Sequence, residues 1–329
     1  MNKAATNVSI FAGLPKEEQI SHVTDLATNV LSEYPFDVTE IELINFEFNA
    51  TFKVLTSKNQ KFALRININS ARTYENLQGE VALVKFLADT SAVILPKPIA
   101  SKDNRYALTI YSSLMEKNLG VILYSWLEGE ELGDHASEAT LGKLGAAMAR
   151  MHLATEGFSL PAGAQLPLLR DFLWGTNDVL FGSSSPVTPE EKALLTSAKG
   201  VIEKIINDLY FDESAIAIHA DLHGWNVMKC GDEITVFDFD DSGIGLKVQD
   251  LATSLYYLDT PEQDSALING YKSVCELPRY NEFQMKGLLL QRRIILLNYL
   301  FETTNSEHRE MAPKYLEETI RRVRVFLDQ

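Results

Sequence analysis

Residues 218–228 read IHADLHGWNVM, and residues 236–241 read VFDFDD. How the first stretch is understood decides the rest of the chain. On a strand, positions two apart face the same side, so His219, Asp221 and His223 would stand together and could hold zinc. That arrangement leaves no role for Asn226, nor for Asp238 behind the strand-like run ITVF. A second reading uses all of them. Asp221 is a short carboxylate able to take the proton of a hydroxyl, and Asn226 and Asp238 are hard oxygen ligands of the kind Mg²⁺ prefers.

Upstream, the pattern from Val38 to Ile68 alternates through VTEIELINF and ATFKVL, turns at Ser57-Lys58-Asn59-Gln60, and resumes in KFALRINI, which predicts three antiparallel strands. Ahead of them Pro15 opens an amphipathic helix over 15–34, with Ile20, Val23, Leu26, Val30 and Leu31 on one side, expected to be an amino-terminal flank. Helical spacing returns at Tyr74, Leu77, Val81 and Val84. LPKPI then breaks the chain, and RYALTIY and GVILY supply two more strands.

The polar connector SWLEGEEL marks the expected division into 1–124 and 125–329. Beyond it the chain reads as mostly helical. Thr188 with Glu191 forms a capping box, and Pro189 suits the first position of the helix that follows. Two more helices are expected at roughly 282–302 and 313–328. The class is α+β, with a small antiparallel-sheet lobe carrying one main helix and a larger helical lobe.

The 329 residues suffice for about two domains. A net charge of −15 disfavours nucleic acid as a partner and leaves open a cationic small substrate. Exposed charges beyond about 8 Å are screened, so local cations decide whether a nucleotide binds. The amino terminus MNKAATNVSIFAGLPKEEQ lacks the pattern of a secretory leader, and the apolar run GLLLQRRIILLNYLF is cut by Gln291-Arg292-Arg293, so no membrane span and a cytoplasmic location are expected. Cys230 and Cys275 are too few for a disulfide framework. Nothing in the sequence indicates an oligomeric state.

His219-x-Asp221-Leu222-x-x-x-Asn226, followed by Asp238-Phe239-Asp240, has the spacing of a kinase catalytic loop and its metal-binding aspartate. The chain resembles the aminoglycoside phosphotransferase and choline kinase superfamily, with its type II homoserine kinase and stress-response Ser/Thr kinase relatives, from about residue 40 to 260. LGKLGAAMARMH, LPKPI and KVQDLA with Asp250 match further family segments. The resemblance implies a two-lobed protein-kinase-like fold, ATP and Mg²⁺ as cofactors, Asp221 as the catalytic base, and Asn226 and Asp238 as metal ligands. It also implies transfer of a phosphoryl group to a hydroxyl of a small molecule. His223 stands where protein kinases carry Lys, and could touch the transferring phosphate or lie at the rim.

In the small lobe Arg65 of FALRI occupies the place of the phosphate-contacting Lys; Arg grips phosphate bidentately, so the swap is compatible with nucleotide binding. Glu80 is the expected ion-pair partner, with Glu75 as competitor. NFEFNATFKV holds no glycine, so Asn49, Ala50 and Thr51 would have to serve the phosphates. Backbone groups from Ser125 to Leu127 would face adenine, as the family implies. The acids Asp221, Asp232, Glu233, Asp238, Asp240, Asp241 and Asp250, against Lys229 and Lys247, favour an amino-bearing acceptor, and the insertion 156–189 with Asp171, Trp174 and Asp178 is expected to face it. The alternatives at this point are a protein Ser/Thr kinase, a zinc hydrolase using His219, Asp221 and His223, and a nucleotide-binding module without turnover.

Overall fold

The computed structural model describes residues 10–70, 72–90, 92–134, 136–303 and 305–329. Residues 1–9, part of the stretch without a leader pattern, lie outside it. Contacts divide the chain into two compact units: one holds residues up to Lys85, Pro96–Leu127 and Pro161–Gln165, the other Phe86–Leu95, Glu128–Leu160 and Leu166–Gln329.

The first unit is built on α1 (Lys16–Leu31), β1 (Val38–Phe46), β2 (Asn49–Thr56), β3 (Lys61–Asn67), the start of α2 (Tyr74–Asp89), β4 (Ala107–Ser112) and β5 (Lys117–Ser125). The five strands form one antiparallel sheet in the order β1-β2-β3-β5-β4. Alternation in β2 and β3 puts Phe52, Val54, Leu64 and Ile66 into a core. Asn59 takes the left-handed turn position at φ 57°, a conformation Asn tolerates. The amino-terminal helix is more than the expected flank: its Val23, Leu26, Ala27, Val30 and Leu31 join the same core as the sheet. Leu77 and Val81 of α2 pack instead with Ala107 and Ile122.

The second unit comprises β6 (Glu130–Glu131), α3 (Glu138–Thr155), α4 (Pro189–Asp212), β7 (Ile216–Ile218), β8 (Val227–Cys230), β9 (Glu233–Val236), β10 (Gly243–Gly245), α5 (Lys247–Tyr256), α6 (Pro261–Lys272), α7 (Glu282–Glu302) and α8 (Ser306–Leu327). The capping box closes as expected, with Glu191 N–H on Thr188 Oγ1 at 3.3 Å and Thr188 N–H on Glu191 Oε2 at 2.8 Å. The last helix starts earlier than expected. Asn305 caps it by accepting from Glu307 N–H at 2.9 Å, so Pro313 lies inside the helix instead of opening it.

Helices α3 and α6 approach to backbone contact. A Cβ on Gly145 would meet Leu267 O at 2.0 Å, and one on Gly270 would meet Gly142 O at 1.9 Å. Helix α7 packs against α4, α5 and α8. No helix among the described residues is long and apolar enough to cross a membrane.

Candidate active site

Topology brings the two acidic motifs together. β7 pairs antiparallel with β10, Ile218 facing Gly243, so the residues after β7 and those before β10 lie at one end of the pair. The hairpin β8–β9 closes the segment between them. Phe237 then joins the two directly: its N–H donates to Asn226 O at 3.0 Å, and its carbonyl accepts from His219 Nε2 at 3.0 Å. Asp238, the next residue, is exposed and left-handed at φ 62°.

The backbone of the loop is held by one buried carboxylate. Asp250, fully buried on α5, accepts from Ala220 N–H at 2.7 Å and His219 N–H at 3.2 Å. Ala220 sits at φ 67°, a strained value for a residue with a Cβ, and the two bonds hold it there. His152 from α3 reaches the same carboxylate at 3.0 Å through Nε2, and its Nδ1 lies 2.9 Å from Tyr271 Oη on α6. Burial would raise the Asp250 carboxyl, but the His152 hydrogen bond and charge, the charge of His219 and the Ala220 N–H bring it below the usual carboxylate range.

His219 faces inward. With Nε2 donating to Phe237 O, its Nδ1 accepts from Asp221 N–H at 3.3 Å, so both ring nitrogens are engaged by the fold. Burial pushes its pKa down. This removes one ligand from the zinc arrangement. Among the described residues no group of three or more His, Cys, Asp or Glu side chains could hold a metal ion.

The Asp221 carboxylate is gripped at both oxygens. Arg292 Nη2 from α7 donates to Oδ1. Asn226 Nδ2 lies 3.2 Å from Oδ2 and donates also to Asp221 O at 2.8 Å. His223 Nε2 stands 3.3 Å from Oδ2, its Nδ1 accepts from Trp225 N–H at 3.2 Å, and its ring lies 4.4 Å from that of Tyr257. Burial would raise the Asp221 carboxyl, but the Arg292 guanidinium and the His223 hydrogen bond bring it down to about 2. Arg292 is itself buried; that works against its charge, yet Asp221 holds it protonated. The site is therefore an ionised, oriented carboxylate in a fixed loop.

Sequence reasoning treated Arg292 only as an interruption of an apolar run. A signal was present, because an arginine inside an otherwise apolar helix must be paired. Tyr257, whose hydroxyl lies 2.7 Å from Arg292 Nη2, carried no signal.

In the first unit Arg65 Nη2 pairs with Glu80 Oε2 at 2.5 Å, both buried, and Arg65 Nε donates to Asn67 Oδ1 at 3.1 Å. Tyr124 Oη donates to the other Glu80 oxygen at 2.9 Å. Glu80, and not Glu75, is thus the partner in the fold. Asn49 begins β2, and Asn69 fixes the hairpin tip before it, its N–H on Phe48 O and its Nδ2 on Glu47 O, each at 2.9 Å. These bonds hold the tip without glycine. Ser125 is committed to Lys97, donating its N–H to Lys97 O at 2.8 Å and accepting Lys97 N–H on Oγ at 2.9 Å; Leu127 lies past the last strand pair.

The insertion is tied to α7, Gln291 Nε2 donating to Phe172 O and Asn298 Nδ2 to Asn177 O. Its acids shape their own turns: Asp171 Oδ1 accepts from Leu173 N–H and Asp178 Oδ1 from Phe181 N–H.

A small antiparallel-sheet unit, a helical unit and an H-x-D-x-x-x-x-N loop define a phosphotransferase of the kinase class. The chain belongs to the phosphotransferase enzyme family, whose model matches residues 41–283. It is 23% identical over 317 residues to the amicoumacin kinase of Bacillus subtilis (strain 168), covering 89% of this chain and 91% of that protein. A solved amicoumacin kinase in complex with AMP-PNP and Ca²⁺ superposes with a TM-score of 0.73 at 16% identity, over 93% of this chain and 96% of that one. A microcompartment-associated aminopropanol kinase gives 0.73 at 23% identity, over 93% and 98%. The fold is α+β and protein-kinase-like.

Proposed function

We propose that the chain transfers the γ-phosphate of ATP, with Mg²⁺, to a hydroxyl of a small amino-bearing molecule, with Asp221 as the base. The observation that carries this reading is the Asp221 carboxylate, kept ionised and held at both oxygens in a loop that also presents Asn226. Phosphoryl transfer passes through a loose transition state and asks for positioning more than for a strong base. An ionised carboxylate held at both oxygens suits that role: it accepts the hydroxyl's hydrogen bond, aims the oxygen, and takes the proton as the bond from that oxygen to the γ-phosphorus forms and the bond to ADP breaks.

The donor set fits a magnesium ion. Asn226 turns its Nδ2 toward Asp221, which leaves the amide oxygen as a hard ligand, and Asp238 adds a carboxylate. Mg²⁺ commonly takes one or two protein oxygens and completes its shell with phosphate and water. When bound it neutralises phosphate charge.

Arg65, braced by Glu80 and Asn67, is the phosphate-facing cation in this reading, and Asn49 stands at the foot of the hairpin tip that Asn69 holds. The Ser125 N–H and Oγ are engaged with Lys97, so in this reading adenine is met by the other backbone groups of the connector from Ser125 to Leu127. His223 braces Asp221 in this reading. The acids between 221 and 250, together with the amino-bearing substrate in the name of the aminopropanol kinase, support an amino alcohol or a larger amino-bearing alcohol as acceptor.

The test is ADP release from MgATP with a panel of amino alcohols, aminoglycosides, homoserine, choline and a generic protein acceptor. Turnover with an amino-bearing alcohol is expected. Asp221→Ala should lower it by roughly 10²–10⁴-fold with ATP binding intact. Tight ATP binding without turnover on any acceptor, or full activity in Asp221→Ala, would refute the reading.

A further inference from the structure

Two adjacent arginines interrupt the apolar face of α7, and the fold treats them differently. Arg293 is a structural residue: its Nε donates to Thr319 Oγ1 at 2.9 Å, its Nη1 to Tyr256 Oη and its Nη2 to Tyr315 O, each at 3.3 Å, and its guanidinium lies 4.1 Å from the Tyr315 ring centre. All three nitrogens serve the joining of α7 to α5 and α8.

Arg292 is as deeply buried, yet its Nε has no hydrogen-bond partner. Its bonds run instead through Nη2, to Asp221 Oδ1 and to Tyr257 Oη. A buried arginine is rarely the most stable filling for its volume, since an apolar side chain avoids the desolvation altogether. An arginine that leaves a donor orphaned in order to reach one carboxylate points to a demand other than folding.

That demand is visible at the carboxylate. The terminal torsion of an aspartate is broad and two-fold, so a half-buried Asp held at one oxygen could turn its plane. Asn226 and His223 reach only Oδ2, at 3.2 and 3.3 Å. Arg292 supplies the hold on Oδ1. Tyr257 braces this arrangement twice, through its hydroxyl on Arg292 and through its ring against His223.

We propose that Arg292 is a positioning residue for phosphoryl transfer: from α7 it fixes the plane of the Asp221 carboxylate, so that the lone pair left on Oδ1 meets the acceptor hydroxyl in one direction. Tyr257 keeps Arg292 in place. The proposal rests on Asp221 being the base, and Arg292 itself does not bind nucleotide.

The experiment uses the full chain and measures ADP release from MgATP with 1-amino-2-propanol as acceptor and, separately, with water alone. Misplacing a reacting group by about an ångström costs on the order of 10²-fold. Arg292→Gln should therefore lower kcat by about 10²-fold while the KM for ATP stays within about threefold. Arg292→Lys should recover part of the loss. Added guanidinium chloride at non-denaturing concentration should partly restore Arg292→Ala. Arg293→Gln should lower thermal stability with kcat per folded molecule unchanged.

Wild-type kcat in both Arg292→Gln and Arg292→Lys, with Asp221→Asn inactive, would overturn the Arg292 inference alone. Full turnover in Asp221→Asn would overturn the base reading beneath it. If Arg292→Gln does not fold, Tyr257→Phe carries the test: kcat reduced with KM for ATP unchanged supports the proposal, and an unchanged kcat overturns it.

Discussion

Replacing Asp250 with Asn tests how the catalytic loop is held. The carboxylate accepts from Ala220 N–H, His219 N–H and His152 Nε2, all buried. Asn offers one acceptor oxygen and turns an NH₂ group on the remaining donors, so at least one buried N–H is orphaned at about 1–3 kcal/mol. The surviving bonds lose their charge assistance, which roughly halves them. Together these give a destabilisation of about 3–5 kcal/mol, the range for breaking a buried pair. At roughly 2–4 °C per kcal/mol for a unit of some 200 residues, calorimetry should show a Tm lower by roughly 6–20 °C. The sign with pH is fixed by the lowered native carboxyl: its stabilisation is complete above the unfolded value near 3.9 and fades as pH falls through the native value. The gap between wild type and Asp250→Asn should therefore narrow as pH falls below about 4. A variant within about 0.5 kcal/mol of wild type at pH 7, the scatter of neutral surface changes, would refute the claim that Asp250 holds the loop.

Two further stability changes follow from backbone geometry. Thr188→Ala removes the capping box of α4 and should cost about 1 kcal/mol in thermal unfolding, without effect on turnover. Ala220→Gly should be close to neutral, because relief of left-handed strain offsets the added freedom of the unfolded chain, each about 1 kcal/mol; Ala220→Val at this fully buried position should cost about 3 kcal/mol or more.

The strands of the first unit were legible because fully buried apolar residues alternate with polar or less buried ones along β2 and the first half of β3, which writes a period of two into the sequence. Thr188 and Glu191 announced α4 for an equally local reason. Thr260, Pro261 and Gln263 carry the same capping signature ahead of α6, where it gave no expectation. The start of α8 was misplaced because a proline eight residues into a helix mimics one at its first turn. Asp221, Asn226 and Asp238 could be picked out because a loop of fixed spacing holds the first two and a short hairpin returns the third. Arg292 could not be assigned by spacing, since α7 lies 71 positions from Asp221 and meets it only through tertiary packing. Glu80 was separable from Glu75 only by the fold, which turns one carboxylate to Arg65 and leaves the other in water.

The glycine contacts between α3 and α6 have a metrological consequence. With Gly145 against Leu267 O and Gly270 against Gly142 O, backbone atoms limit how closely the two helices approach at their crossing. The gap from Tyr271 to His152 is therefore gauged by the van der Waals radii of backbone atoms. That gauge passes through Asp250 to Ala220, so the loop inherits the tolerance of a helix crossing on the far side of His152.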